Sequence, residues 1–264
     1  MPFIQTNIIK WFCLFLLCFY TVILITPAFS LDKKTYTIGW EPWNPYQYKN
    51  KQKVLTGLDV ELVTTIIHQM NCDINYKEIP WKRLLVYIER GKVDLAAGAS
   101  KTPEREKYAY FSDGYRKEMT ALFVLKGGVQ KYNFKQLSDI KNSDFQLGIT
   151  NGYFYGDFFA SLMNEKEFKK HIQGVASDTI NIKKVLKDRV QGFLGDIYAG
   201  VSAMKEAGVR EKFEIHPMPV SSADVYIMFS KKTSKLEDVK LFNQTLKKLK
   251  ENGTLDNILR QYID

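Results

Sequence analysis

Two hydrophobic patterns alternate along most of the chain after its first 30 residues. Short apolar runs or alternating apolar and polar residues predict β-strands, and apolar residues three or four positions apart predict helices with one buried face. The predicted strands cover residues 36–40, 73–78, 119–125, 146–149, 192–196 and 225–229, and another begins at Leu95. The predicted helices begin at Leu58, Trp81, Pro103, Asp178 and Leu236. This alternation predicts βαβ units, and therefore an α/β fold with mostly parallel sheets.

The strands at 119–125 and 225–229 are apolar throughout, which is typical of strands buried on both faces. We expect them to be two crossovers that carry the chain from a first lobe to a second and back. The first lobe is then discontinuous, with residues 31–122 and 225–264, and the second lobe is residues 123–224. The last predicted helix ends at Gly253 and is expected to pack on the first lobe.

Residues 1–30 predict a signal peptide. Lys10 is their only charged residue, residues 11–26 form an apolar run, and Pro27-Ala28-Phe29-Ser30 supplies the small residues that a signal peptidase needs. We expect cleavage after Ser30 and a periplasmic location. The alternative is an uncleaved anchor, because an apolar stretch of about 20 residues can span a bilayer.

Composition and missing motifs narrow the function classes. The chain has 264 residues, 45% hydrophobic, with a net charge of +9. Its lysine clusters recur at helical spacing opposite apolar residues, which is typical of solvated helix faces, so nucleic-acid binding is not predicted. Only Cys72 lies beyond the signal segment, so no disulfide framework is expected. No nucleophile–base pair, metal motif or nucleotide loop is present, and we predict no enzyme activity, catalytic residue, metal or cofactor.

The segment from Gly98 to Arg105 predicts an anion-binding turn. Gly98 leaves the backbone open, Ser100 and Thr102 add hydroxyl donors, and Thr102-Pro103 is typical of a helix N-cap followed by proline at the first helical position. The positive end of that helix and the forked guanidinium of Arg105 would converge on one anion, and the fork suits a carboxylate. Taken alone, the same residues also fit an ordinary exposed turn.

The surrounding order of motifs resembles a known family. Trp81 precedes an amphipathic helix, Gly91-Lys92-Val93-Asp94 turns into a strand, and Thr102-x-x-Arg105 is followed by Phe111-Ser112-x-x-Tyr115. This order resembles the family 3 solute-binding proteins, the polar amino-acid binding proteins of ABC importers. The resemblance implies the two-lobed type II periplasmic binding protein fold, with a ligand in the cleft between the lobes.

The resemblance also implies roles for residues outside the turn. Trp43 and Trp81 occupy the family's two ligand-covering aromatic positions, and Asp196 matches the aspartate that receives the ligand's ammonium group. Gly152 matches a turn whose N–H groups touch the ligand carboxylate, although Tyr153 stands at a threonine position of that turn. Glu41 is a further candidate for accepting an ammonium group.

We therefore expect an exported, monomeric binding protein that closes on a small amino acid or related carboxylate. Its partners would be that small molecule and an ABC permease in the inner membrane. Two alternatives stay open: a periplasmic sensory ligand-binding module, and an exported lyase or dehydratase of the same fold. Non-amino-acid carboxylates remain possible ligands if Asp196 serves only the structure.

Overall fold

The computed structural model describes residues 33–263, in which Lys34 onwards forms one compact unit. The predicted signal peptide, residues 1–30, lies outside the described residues. Within the described range, no helix has the length and apolar character needed to cross a membrane.

The strands and helices follow one another in the alternating order that the sequence predicts. The strands are β1 (Thr35–Trp40), β2 (Tyr48–Lys49), β3 (Leu55–Thr56), β4 (Asp73–Glu78), β5 (Leu95–Ala99), β6 (Ala109–Phe111), β7 (Arg116–Leu125), β8 (Leu147–Thr150), β9 (Ile172–Val175), β10 (Gly192–Asp196), β11 (Phe213–Ile215) and β12 (Ser221–Ser230). The helices are α1 (Leu58–Gln69), α2 (Trp81–Glu89), α3 (Pro103–Glu106), α4 (Gly128–Lys131), α5 (Asp157–Leu162), α6 (Lys166–Lys169), α7 (Asp178–Leu186), α8 (Ile197–Glu206), α9 (Leu236–Glu251) and α10 (Thr254–Ile263). Short 3-10 helices occupy Leu137–Asn142 and Arg210–Lys212.

One mixed sheet connects most of the strands, in the order β4-β1-β5-β12-β7-β10-β8-β9. Its flanks are parallel, with β1 between β4 and β5 and with β8 between β9 and β10. Its middle is antiparallel, because β12 and β7 run against each other and against their outer neighbours. We call β1, β4, β5 and β6 with their helices the first half, and β8 to β11 with theirs the second half.

Strands β7 and β12 link the two halves. Residues 221–225 of β12 pair with β7, and residues 226–229 pair with β5 in the first half. These are the two crossover strands that the apolar runs predict. Both extend beyond those runs, since β7 begins at Arg116 and β12 at Ser221.

Each half carries a hydrophobic core on both faces of its strands. In the first half, one core lies under α1, α9 and α10, and the other lies under α2. In the second half, alternate residues of β7 enter opposite cores: Leu122 and Val124 enter one, and Ala121 and Phe123 the other. This alternation follows from the two-residue period of a strand. Helices therefore cover both faces, which leaves the strand ends and their loops to form a site.

Candidate functional site

A cavity lies where the carboxyl ends of β1 and β5 face β7 and the loop after β8. Its lining contains seven of the ten residues predicted from the sequence: Glu41, Trp43, Trp81, Gly98, Ser100, Arg105 and Tyr153. Four further residues line it that the sequence did not single out: Gln47, Ala97, Glu118 and Phe154. Thr102, Gly152 and Asp196 are not among the lining residues. The lining thus combines residues of the first half with Tyr153 and Phe154 of the second half.

Arg105 places a buried positive charge on the cavity wall. Thr102 caps helix α3, as predicted, by accepting a hydrogen bond from the Arg105 backbone N–H at 3.3 Å. The guanidinium donates through Nη1 to the Ser100 carbonyl and through Nη2 to the Gly152 carbonyl, each at 2.8 Å. Burial lowers the pKa of Arg105. No carboxylate within residues 33–263 forms an ion pair with it.

Gly98 gives the cavity room rather than a free donor. Its φ of +67° is one that residues with a side chain rarely adopt, and a Cβ here would stand 2.8 Å from the Trp43 ring. Its backbone N–H donates to the Tyr115 hydroxyl at 3.0 Å. Because that N–H is already bonded within the protein, the predicted hydrogen bond from Gly98 to a ligand has no donor in this conformation. The Ser100 hydroxyl, in contrast, has no partner in the described part of the chain.

A fully buried ion pair packs against Gly98 and Trp43 on the side away from the cavity. Arg116 of β7 donates to both carboxylate oxygens of Asp59, at 3.0 and 3.1 Å. The Arg116 guanidinium also lies over the Tyr46 ring at 3.6 Å and faces the Trp43 ring at 5.2 Å. This packing holds Trp43 at the cavity wall, and the ligand-covering role that the resemblance implies for it stays a prediction.

Trp81 and Gly152 join the two halves beside Arg105. The Trp81 indole N–H donates to the Gly152 carbonyl at 3.1 Å, so that carbonyl accepts from both Trp81 and Arg105. The Arg105 guanidinium lies 5.6 Å from the centre of the Trp81 ring. The Gly152 turn therefore contacts the first half through its carbonyl, whereas the sequence predicted a contact between its N–H groups and the ligand.

Glu41 and Tyr153 form a second link across the cavity. The Tyr153 hydroxyl donates to Glu41 Oε1 at 2.7 Å, and the Trp81 backbone N–H donates to Oε2 at 2.7 Å. Burial raises the pKa of the Glu41 carboxyl, while these two hydrogen bonds oppose the rise. Tyr153, at a position where the resemblance implies threonine, thus reaches across to the first half.

Asp196 has a structural environment. Its Oδ1 accepts from the Ala199 N–H at 2.9 Å, which caps helix α8, and from the Tyr46 hydroxyl at 3.0 Å. Its Oδ2 faces the Met119 N–H at 3.4 Å. The ammonium-binding role implied by the resemblance remains a prediction for this residue, and its carboxylate is already hydrogen-bonded within the protein.

Glu118 is the charged one of the four lining residues that the sequence did not single out. The continuous apolar run predicted a strand over residues 119–125 only, which leaves Glu118 outside it. In the structure Arg116, Glu118 and Thr120 lie on one face of β7, while Lys117 and Met119 are exposed on the other. The polar alternation before the apolar run was the signal that could have found it.

Comparison with solved structures identifies the fold. Over 88% of this chain, an ancestral arginine-binding protein bound to arginine matches with a TM-score of 0.74 and 22% identity, across 99% of its own length. A histidine kinase sensor domain with similarity to periplasmic binding proteins matches 88% of this chain with a TM-score of 0.76 and 14% identity, across 96% of its length. The chain therefore has the two-lobed periplasmic binding protein fold.

The sequence places the chain within one group of such proteins. It belongs to the bacterial extracellular solute-binding proteins, family 3, whose model matches residues 36–264. It is 26% identical over 240 residues to the L-cystine-binding protein TcyA of Bacillus subtilis (strain 168). This alignment covers 88% of this chain and 83% of TcyA. Its curated relatives are named as binding proteins, and this confirms the solute-binding class that the motifs predict.

Proposed function

We propose that this protein is an exported receptor that captures a small amino acid or a related carboxylate for an ABC importer. The observation that carries the proposal is the buried guanidinium of Arg105, which lines the cavity with no carboxylate partner among residues 33–263. The family and the relatives named for cystine and arginine support an amino-acid ligand. The family's extracellular description supports a periplasmic location reached through the residue 1–30 signal.

The mechanism rests on contacts that span the cavity. Arg105 and Ser100 hold the ligand's carboxylate on the first half, while the second half contributes Tyr153 and Phe154 to the opposite wall. A ligand that touches both halves stabilises the closed arrangement over an open one, and a permease reads that shift. The moving lobes correspond to residues 31–122 with 225–264 and to residues 123–224, so that the hinge lies within β7 and β12.

The test is ligand binding by an Arg105→Ala variant. Purified protein is unfolded and refolded to remove bound ligand, then heated with each common L-amino acid, L-cystine or a small organic acid. A ligand at one hundred times its Kd stabilises the folded state by about 2.7 kcal/mol, which raises the Tm by roughly 5 to 10 °C. We expect wild type to show this shift with one ligand class and Arg105→Ala to lose it.

The matched control is Arg83→Ala, which removes an exposed arginine from helix α2. This variant should retain the full shift. Unchanged binding by a folded Arg105→Ala variant would contradict the carboxylate-binding role.

The likeness to a kinase sensor domain favours a second candidate, a sensory module. The two functions differ in what happens after closure. Deletion of the gene should abolish uptake of the identified ligand if the partner is a permease. Retained uptake with loss of a transcriptional response to that ligand would support the sensory role.

A further inference from the structure

Glu118 stands at the junction of the cavity described above and a smaller side chamber. The chamber lies between β7, β12 and the loop after β8, and Glu118, Ser100 and Phe154 line both spaces. Thr120 and Ser221 add hydroxyl groups to the chamber wall. Glu118 is only partly covered because it faces this open space. It therefore stands between the space beside Arg105 and the chamber.

The Glu118 carboxylate has no hydrogen bond or ion pair within residues 33–263, although it lies deep in the protein. The other carboxylates around the cavity all accept hydrogen bonds from the protein; they are Glu41, Asp59, Asp178 and Asp196. A buried charge without a partner is costly, because desolvation is not offset by any bond. Glu118 alone in this group accepts no hydrogen bond from a described residue, so its carboxyl is free to accept one from a ligand.

The charges around Glu118 do not supply that partner. Arg116 attracts its negative charge, but the Arg116 guanidinium is held by Asp59. Three carboxylates repel it, those of Asp196, Asp59 and Asp178. Arg105 and Glu41 share the cavity with it; the Glu118 charge attracts Arg105, but the two side chains form no ion pair or hydrogen bond. Burial, the largest effect, raises the pKa of Glu118 to about 8. The free protein at neutral pH therefore holds this carboxyl largely protonated.

We infer that Glu118 accepts a protonated nitrogen of the ligand, so that the cavity takes compounds with both a carboxylate and a cationic nitrogen and rejects plain carboxylates. This inference rests on the proposed function. It reassigns the acceptor, because Asp196 lies outside the cavity lining and its carboxylate is bonded to Tyr46 and Ala199.

The side chamber suits an ammonium group chemically. An ammonium has three N–H donors and no acceptor, and one carboxylate with neighbouring hydroxyl oxygens can accept all three. Thr120 and Ser221 have no hydrogen bonds from their hydroxyls in the described part of the chain. Gly156 keeps the chamber open, since a Cβ at that position would stand 2.8 Å from the Ser221 Cβ.

The first test compares ligands and variants by isothermal titration calorimetry. The probes are the common L-amino acids and L-cystine, with succinate, malate and 2-oxoglutarate as plain carboxylates. We expect wild type to bind an amino acid and none of the plain acids, and Glu118→Gln to weaken that binding by at least thirtyfold. Glu89→Gln, which changes an exposed glutamate of helix α2, should bind like wild type. Unchanged affinity in Glu118→Gln, or equally tight succinate binding by wild type, overturns the inference.

The second test needs no variant. A cationic nitrogen beside Glu118 favours its charged form, so binding should release close to one proton at pH 7 and little above pH 9. Titrations in phosphate and Tris buffers measure this release. Below pH 8, the affinity should increase about tenfold for each unit by which the pH is raised. Binding without proton release at pH 7 overturns the inference while leaving the proposed function intact. If wild type binds no probe, the proposed function itself fails, and this inference fails with it.

Discussion

The hydrogen bond between Tyr153 and Glu41 offers the sharpest test of closure. Tyr153→Phe removes one hydroxyl that joins the two halves at 2.7 Å, and it keeps the ring that contacts Trp43 and Trp81 at centroid distances of 6.2 and 6.4 Å. A hydrogen bond to a charged group contributes about 1.5 to 3 kcal/mol. Because about 1.4 kcal/mol corresponds to a factor of ten, the ratio of closed to open protein should fall roughly ten- to hundredfold. Burial raises the pKa of Glu41, which favours the lower end of that range.

Two measurements separate this effect from simple destabilisation. Calorimetry should show a higher Kd for Tyr153→Phe, because only the closed form binds tightly, and small-angle X-ray scattering of the free protein should show a larger radius of gyration. Tyr155→Phe is the control: the Tyr155 hydroxyl accepts from the Thr150 N–H at 2.7 Å, entirely within the second half. That variant should lower the Tm without changing the Kd or the radius. Equal Kd values for Tyr153→Phe and wild type, or an equal rise in the Tyr155→Phe control, would refute the closure argument.

Two further predictions concern buried charges. Arg116→Leu leaves Asp59 buried without its partner and should lower the free energy of unfolding in urea by about 3 to 5 kcal/mol. The Asp59→Leu/Arg116→Leu double variant should recover much of that loss. A loss in the double variant equal to the sum of the losses in the two single variants would argue against a coupled pair. Burial raises the pKa of Asp178 to about 6, from an ordinary value of 3.8, so its stabilising contribution is present below about pH 4 and is lost as the pH rises through 6. The unfolding free energy of wild type minus that of Asp178→Asn should therefore be about 2 kcal/mol higher at pH 4 than at pH 7, and a difference that is constant with pH would contradict this shift.

Elements set by local rules could be predicted from the sequence. The Thr102 cap and Pro103 start helix α3, and the strands at 73–78 and 192–196 have the bounds that their patterns predict. The stop at Gly253 was also correct, since helix α9 ends at Glu251 and Gly253 has a φ of +76°. Helix α10 was missed, although it begins at Thr254 and buries Leu255 and Ile258 in the first core. A glycine that ends one helix also allows the chain to turn into the next.

Interactions between distant residues could not be predicted in the same way. Arg116 can be buried because Asp59 and Tyr46 contact its guanidinium, and both residues are far from Arg116 in the sequence. Without that partnership a charged residue predicts exposure, and for this reason the start of β7 was missed along with Glu118. The hydrogen bond from the Tyr46 hydroxyl to Asp196 could not be predicted for the same reason, because the two residues are 150 positions apart. Resemblance can locate such a residue, but only the fold shows which atoms remain free to bind.

The balance of charge decides which ligands the cavity suits. Arg105 contributes a positive charge without a carboxylate partner in the described part of the chain, and on our inference Glu118 contributes a carboxyl that loses its proton when a cation approaches. An amino acid bound as a zwitterion leaves both groups paired, whereas a plain carboxylate leaves Glu118 neutral and unpartnered. Three aromatic rings, those of Trp43, Trp81 and Tyr153, line the same space, and apolar walls strengthen such attractions by lowering the local dielectric constant. The enclosure therefore strengthens the preference for a ligand that carries both charges.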